Sequence, residues 1–233
     1  MAYDLDAKNI ILAYPMSAGI LTVLDIEELR VPAGAAVGIT GSSGSGKTSL
    51  LAVLAGLERP QYGTIRWGYT DIRALAEAER DRWRRTNIGM VFRDFHLFPG
   101  MTALQNVLVP ASFDRLFPPF SMKDRARALL TRVDLRGGRQ RVETLSRGEM
   151  QRVAVARGLL CNPRIVLADE PTANLDRVNG ERVTDLLLDL CRESGATLLV
   201  ASQDAAVLRR LDAVHTLVGG RLVEALEPAV RSC

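Results

Sequence analysis

The run Gly41-Ser42-Ser43-Gly44-Ser45-Gly46-Lys47-Thr48 carries the clearest chemistry in the chain. It fits G-x-x-x-x-G-K-[ST], the pattern of a phosphate-binding loop. Its glycines let the backbone turn tightly and approach an anion with no Cβ in the way. The loop N–H groups then point at phosphate oxygens, at the positive end of the helix that follows. Lys47 has the reach for β- and γ-phosphates, and the Thr48 hydroxyl is a ligand for Mg²⁺. Ser49, next along, belongs to the same expected set of nucleotide contacts. A Gly/Ser-rich turn with an accidental Lys-Thr is the plain alternative, and context decides against it. Ala35–Thr40 reads as a short buried strand and Ser49–Ala55 as an apolar helix start, the strand-loop-helix setting that the motif requires.

A second chemical pair stands at Asp169-Glu170, where the apolar run Ile165-Val166-Leu167-Ala168 ends. Opposite a phosphate loop, Asp169 is placed to hold Mg²⁺, directly or through water. Glu170 is placed to polarise a water attacking the γ-phosphate. Without the phosphate loop these would be ordinary polar residues at a strand end. With it they complete an ATPase site whose expected cofactors are ATP and Mg²⁺.

The elements that must position these residues follow from the apolar patterning. Ile10–Tyr14, Ile20–Leu24 and Glu28–Val31 read as three short strands of an antiparallel sheet. A turn at 59–63 leads to a strand at Thr64–Trp67, and a charged helix is expected from Ile72 to Arg85, followed by a strand at Ile88–Phe92. Arg80, Arg82, Arg84 and Arg85 then form a solvated basic face near that helix's C-terminus. From Phe95 to about Arg141 the chain changes character. It has Phe95, Phe98, Pro99, then Phe113, Phe117, Pro118, Pro119 and Phe120, then an Arg-rich helix from Lys123 to Val133. This segment reads as a helical insertion whose aromatics either dock a partner or fill a small core of their own. Ser146 with Glu149 three residues on is a capping box opening a helix to Leu160. The continuous runs at 165–168 and 196–201 fit strands buried on both faces of a parallel sheet, with a helix from Asn179 to Glu193 between them. Gly219-Gly220 joins a last hairpin.

Composition bounds the class. With 233 residues, 47% hydrophobic and 5% aromatic, the chain is an ordinary globular one. Cys161, Cys191 and Cys233 are odd in number and far apart, which argues against disulfides or a zinc site and fits a reducing cytosol. No apolar run approaches the ~18 residues of a membrane span, and the N-terminal stretch lacks the basic start of a signal peptide. A net charge of +3 is small for this length and points only weakly to nucleic acid or anionic lipid.

Leu145-Ser146-Arg147-Gly148-Glu149-Met150-Gln151-Arg152 resembles the L-S-G-G-Q signature of ATP-binding cassette (ABC) ATPases, and Ala173-Asn174-Leu175-Asp176 resembles their D-loop. The resemblance runs from Tyr14 to Val223. Phe95-His96-Leu97 and Leu104-Gln105-Asn106-Val107 are most similar to the macrolide-exporter and lipoprotein-release branch. It implies an α/β fold of P-loop NTPase type: a mostly parallel sheet flanked by helices, with an N-terminal antiparallel β subdomain and an inserted α-helical subdomain. It implies a single domain over 1–233, with its core at about 1–92 and 160–233 around an insertion at 93–159. Tyr14 would stack on adenine, and Ser146 and the Gly148 N–H would contact the γ-phosphate held by a second subunit in a head-to-tail dimer. Glu149 and Asp176 belong to the same interface.

The partners implied are a second ATPase subunit, as homodimer or heterodimer, and membrane permease subunits, with no nucleic acid. The location implied is the cytoplasmic face of the cell membrane, with membrane contact only through the permease. Three departures bear on rate. Arg93 stands where the family has a Mg²⁺-ligating glutamine, Gln203 where it has a γ-phosphate histidine, and Arg147 where it has the first signature glycine. Arginine has donors only, so it cannot ligate a cation, but it can contact phosphate or pair with a carboxylate. With Glu170, Lys47 and Gln203 as catalytic residues, two readings stand: a transport ATPase with slow or partner-dependent hydrolysis, or a nucleotide-gated regulatory module bound to a membrane protein. A nucleic-acid-associated ABC ATPase is disfavoured, because such proteins usually carry coiled-coil insertions or a second cassette.

Overall fold

The computed structural model describes residues 2–17, 19–113 and 119–226; Phe117, Pro118 and Cys233 lie outside them. Two sheets share the work of positioning the loop. The first has the order β2-β1-β4-β5 and is antiparallel, from β1 (Leu5–Met16), β2 (Gly19–Val31), β4 (Tyr62–Trp67) and β5 (Thr70–Asp71). The second has the order β10-β9-β3-β8-β7-β6, from β3 (Ala36–Thr40), β6 (Ile88–Val91), β7 (Ile165–Asp169), β8 (Thr197–Ala201), β9 (Ala213–Val218) and β10 (Arg221–Leu226). All of its pairs are parallel except the β9–β10 hairpin. The Gly219-Gly220 turn forms as expected.

The short central strands are buried on both faces, and alternate residues serve two different cores. Ile165, Leu167, Leu199 and Ile39 face the antiparallel sheet and α1 (Lys47–Leu54). Val166, Ala168, Leu198 and Val200 face the helices on the other side. These are α5 (Arg147–Leu159) and α6 (Arg177–Ser194), with α3 (Ala103–Ser112) and α4 (Phe120–Arg132) packed beyond them. Among the described residues the chain between β6 and β7 is helical, apart from a single bridge between Thr102 and Arg141. Buried Trp67 ties the antiparallel sheet to the end of α1 by donating its indole N–H to the Leu54 carbonyl at 2.9 Å. Burial also pushes the Cys191 thiol on α6 up to about 12.

Two expectations need correction. The three N-terminal segments are two long strands, paired from Leu5↔Val31 to Met16↔Gly19 with a register shift at Leu12/Ala13. Their polar residues are the exposed half of a period-two pattern, not turns. The charged helix starts not at Ile72 but at Glu77, as α2 (Glu77–Asn87). Ile72 is fully buried, and the Asp71 carboxylate accepts from the N–H groups of Ile65 and Arg73, forming a local turn that delays the helix.

Candidate functional site

The loop 41–46 leaves the end of central strand β3 and enters α1. Its shape depends on Gly41, at φ 153°, where a Cβ would lie 2.3 Å from the Leu217 carbonyl oxygen. Lys47 is buried, and its ammonium donates to the carbonyls of Gly41 (2.8 Å) and Ser42 (3.1 Å). The same Nζ lies 3.7 Å from the Glu170 carboxylate. The Thr48 hydroxyl donates to Asp169 Oδ2 at 2.8 Å, so the two residues read as a pair 121 positions apart in sequence do meet. Asp169 Oδ1 and Ser45 Oγ are buried with no hydrogen-bond partner.

Parallel pairing of β7 with β3's neighbour β8 brings the acids to the loop. Glu170 follows β7 with φ 44°, an uncommon value for a non-glycine residue. Its N–H donates to the Ala201 carbonyl at 2.8 Å, and its Oε2 accepts from the Gln203 N–H at 3.4 Å. A cavity of about 230 Å³ opens here, with Lys47, Thr48, Ser49, Arg93, Glu170 and Gln203 on its wall. Ser43, Gly44 and Gly46 complete the loop side of it. Tyr14, 38% exposed on β1, does not line this cavity; Val23 on the neighbouring strand does.

The other predicted contacts form a separate surface. Ser146 caps α5: its Oγ accepts from the Glu149 N–H at 3.3 Å and donates to the Glu149 carboxylate at 2.8 Å. The Ser146 N–H, which donates to the same carboxylate at 2.8 Å, and then the Ser146 hydroxyl hold the Glu149 carboxyl below the usual range. Asp176 caps α6 in the same manner, accepting from the Asn179 N–H at 3.0 Å, with the same effect on its acidity. The two caps touch, because buried Gly148 packs against the Asn179 side chain so closely that a Cβ there would lie 2.7 Å from it. Arg147 is exposed beside them. The chain thus brings Ser146, Gly148, Glu149 and Asp176 together on one surface that does not contribute to the cavity wall.

Sequence reasoning missed the clamp on the segment after β6. Asn174 Nδ2 donates to the Arg93 carbonyl (3.1 Å) and to Asp94 Oδ1 (3.2 Å). Phe95 and His96 both have positive φ, 61° and 46°. The Arg157 guanidinium, 8% exposed, holds both of their carbonyls, that of Phe95 at 2.6 Å. Charge-assisted bonds of this kind offset the strain of consecutive left-handed residues. The sequence signal was a basic residue, Arg157, inside the otherwise apolar run 153–160. His96 also meets the Phe92 ring edge-on, with centroids 5.0 Å apart.

Behind this segment lies a larger groove of about 570 Å³, lined by Ile88, Met90, Phe98, Phe113 and Met122 among others, with Arg84 and Arg157 at its wall. Phe98 is 47% exposed and Phe113 66%, so these two aromatics open outward rather than filling a core. No helix among the described residues is long and apolar enough to cross a membrane.

Comparison with known proteins agrees with this geometry. The family model described as "ABC transporter" matches residues 24–173. The lipoprotein-releasing system ATP-binding protein LolD of Pseudomonas syringae pv. tomato is 39% identical, covering 95% of this chain and 97% of that protein. LolD 2 of Rhodospirillum rubrum is 45% identical over 83% of this chain and 84% of its own length. Among solved structures, an ATP-binding cassette in a dimeric post-hydrolysis state bound to ADP and Pi superposes with a TM-score of 0.88. It is 33% identical and covers 97% of this chain and 99% of its own. A phosphate loop that meets an acidic strand end, in a fold and sequence shared along nearly the whole length, makes this chain a member of the ABC transporter family, as an ATP-binding cassette ATPase.

Proposed function

We propose that this chain is the ATP-binding and hydrolysing subunit of a membrane transporter of the lipoprotein-release or export type, acting as a head-to-tail dimer on the cytoplasmic face of the membrane. The single observation that carries this reading is the 2.8 Å contact of Asp169 with Thr48, which lines a cavity together with Lys47 and Glu170. Bound ATP would exchange its β- and γ-phosphate oxygens for the Gly41 and Ser42 carbonyls now facing Lys47, and the loop N–H groups would cradle the rest. The Thr48 hydroxyl and the orphaned, buried Asp169 Oδ1 are hard oxygen donors that fit Mg²⁺. When bound, Mg²⁺ neutralises charge on the β- and γ-phosphates.

Glu170 orients the attacking water and takes its proton, with the carboxylate steadied by the Gln203 N–H. Gln203 adds an amide donor for the γ-phosphate. Ser146 and the Gly148 N–H, at the start of a capped helix, contact the nucleotide of the second subunit. Tyr14 stacks on the adenine. The groove between β6 and the insertion receives a cytoplasmic segment of the permease, whose apolar side chains fit against Phe98 and Phe113 while its acidic groups meet Arg84.

Arg93 and Gln203 on the cavity wall favour a second reading, a nucleotide-gated module that hydrolyses slowly by itself. Removing one preorganised polar contact typically costs about 10²–10³ in rate. Affinity purification from membranes followed by turnover assays separates the two. The expected result is a co-purifying permease that raises ATP turnover several-fold. A permease that binds without stimulating turnover would favour the regulatory module, and no membrane partner at all would remove both.

A further inference from the structure

We propose that the Arg93 guanidinium is a second cationic ligand of the terminal phosphate, one that lets this protein hold a nucleoside triphosphate without a divalent cation. The proposal rests on the cavity being the ATP site. Arg93 stands on the cavity wall with Lys47, Glu170 and Gln203. Its side chain makes no hydrogen bond or ion pair with any described residue, whereas its main chain is tightly held. Asn174 takes the Arg93 carbonyl at 3.1 Å, and the Arg157 guanidinium grips the next two carbonyls but one. The root of the side chain is therefore fixed and its head is free.

A guanidinium carries five donors and no acceptor, so only an anion or a set of acceptor oxygens can satisfy it. Each nearby carboxylate already has one oxygen engaged by another donor, and none of them engages Arg93. Asp169 Oδ2 accepts from Thr48, Glu170 faces Lys47 and the Gln203 N–H, and Asp94 Oδ1 accepts from Asn174. Charge makes the same point. Lys47 and Arg93 together balance Asp169 and Glu170, whereas a neutral residue at 93 would leave one net negative charge facing a polyphosphate. With Arg93 present, the protein adds a positive charge of the kind a divalent cation would otherwise contribute. Since Arg93 shares the cavity wall with Glu170, the residue proposed to act at the γ-phosphate, its effect falls on the terminal phosphate and separates ATP from ADP.

The test is equilibrium binding of ATP and of ADP to the full chain, with Mg²⁺ and with excess EDTA, for the wild type, Arg93→Gln and Arg93→Lys. The side chain has no partner among the described residues, so both variants should fold normally. Removing Mg²⁺ should weaken wild-type ATP binding by less than about tenfold. In EDTA, Arg93→Gln should bind ATP about 10- to 100-fold more weakly, the scale of one charge-assisted contact. ADP affinity should stay unchanged, and Arg93→Lys should recover most of the loss. Equal Mg²⁺-free ATP affinity in Arg93→Gln and wild type overturns the proposal, and so does an equal loss of ATP and ADP. A wild type that binds no ATP even with Mg²⁺ would overturn the ATP site instead.

Discussion

Glu170 has the geometry of a residue held in place for a purpose: a left-handed backbone at φ 44°, an N–H tied to Ala201, and a carboxylate shared between Lys47 and the Gln203 N–H. Left-handed conformations at non-glycine residues cost about 1–3 kcal/mol and persist only where surrounding bonds fix them. Glu170→Gln keeps the shape and the amide neighbours but removes the base. Turnover should drop by at least about 10²-fold, while ATP affinity stays near wild type and an ATP-bound dimer accumulates on light scattering. Unchanged turnover would take the proton to another group. Lys47, Thr48, Asp169 and Glu170 were legible in the sequence because each sits at a fixed offset from a strand end, and parallel pairing of β3, β8 and β7 aligns those ends. The hold of Arg157 on Phe95 and His96 was not legible, because it joins residues 61 and 62 positions apart through main-chain carbonyls, which leave no trace in side-chain pattern.

At the scale of elements, the capping boxes have a double use. Ser146→Ala removes the acceptor for the Glu149 N–H and should cost about 1 kcal/mol of stability in urea titrations. If Ser146 also meets the second subunit's nucleotide, the same variant should lose ATP-driven dimerisation by more than its stability loss explains. Acid should loosen these helix starts. Glu149 and Asp176 are held below their ordinary pKa values by N–H and side-chain donors. Their folded values lie below the unfolded ones, so their contribution is complete above the usual carboxylate range and is lost as pH falls through the depressed values. Thermal unfolding should therefore show stability declining below about pH 4, with a smaller decline in a Glu149→Gln variant. Capping was legible because S-x-x-E is local, and the buried strands because apolar runs of four or five residues allow little else. The N-terminal strands were misjudged because half of each faces solvent, and a polar residue in an exposed row looks like a turn until the pairing partner is known. The late start of α2 turned on Asp71 accepting two backbone N–H groups, a tertiary detail that helical periodicity does not report.

For the whole molecule, the mixed sheet divides the interior into two separate cores, one under the antiparallel strands and α1, the other under α3 to α6. The phosphate loop belongs to the first, and the groove with its open aromatics and the Ser146 cap belong to the second. Helix α5 bridges the distance between those last two. At its start, exposed Ser146 stands beside Asp176, with Gly148 buried against Asn179 beneath them. Eleven residues on, about 16 Å at 1.5 Å per residue, Arg157 grips the segment that carries Arg93 toward the cavity and His96 and Phe98 toward the groove. One strut thus has its tip at the surface proposed to meet a second subunit and its heel under the groove proposed to receive a membrane partner. On the function proposed above, a load that tilts the heel would swing the tip and carry Arg93 with it, so one push on the groove would reach both nucleotide contacts at once.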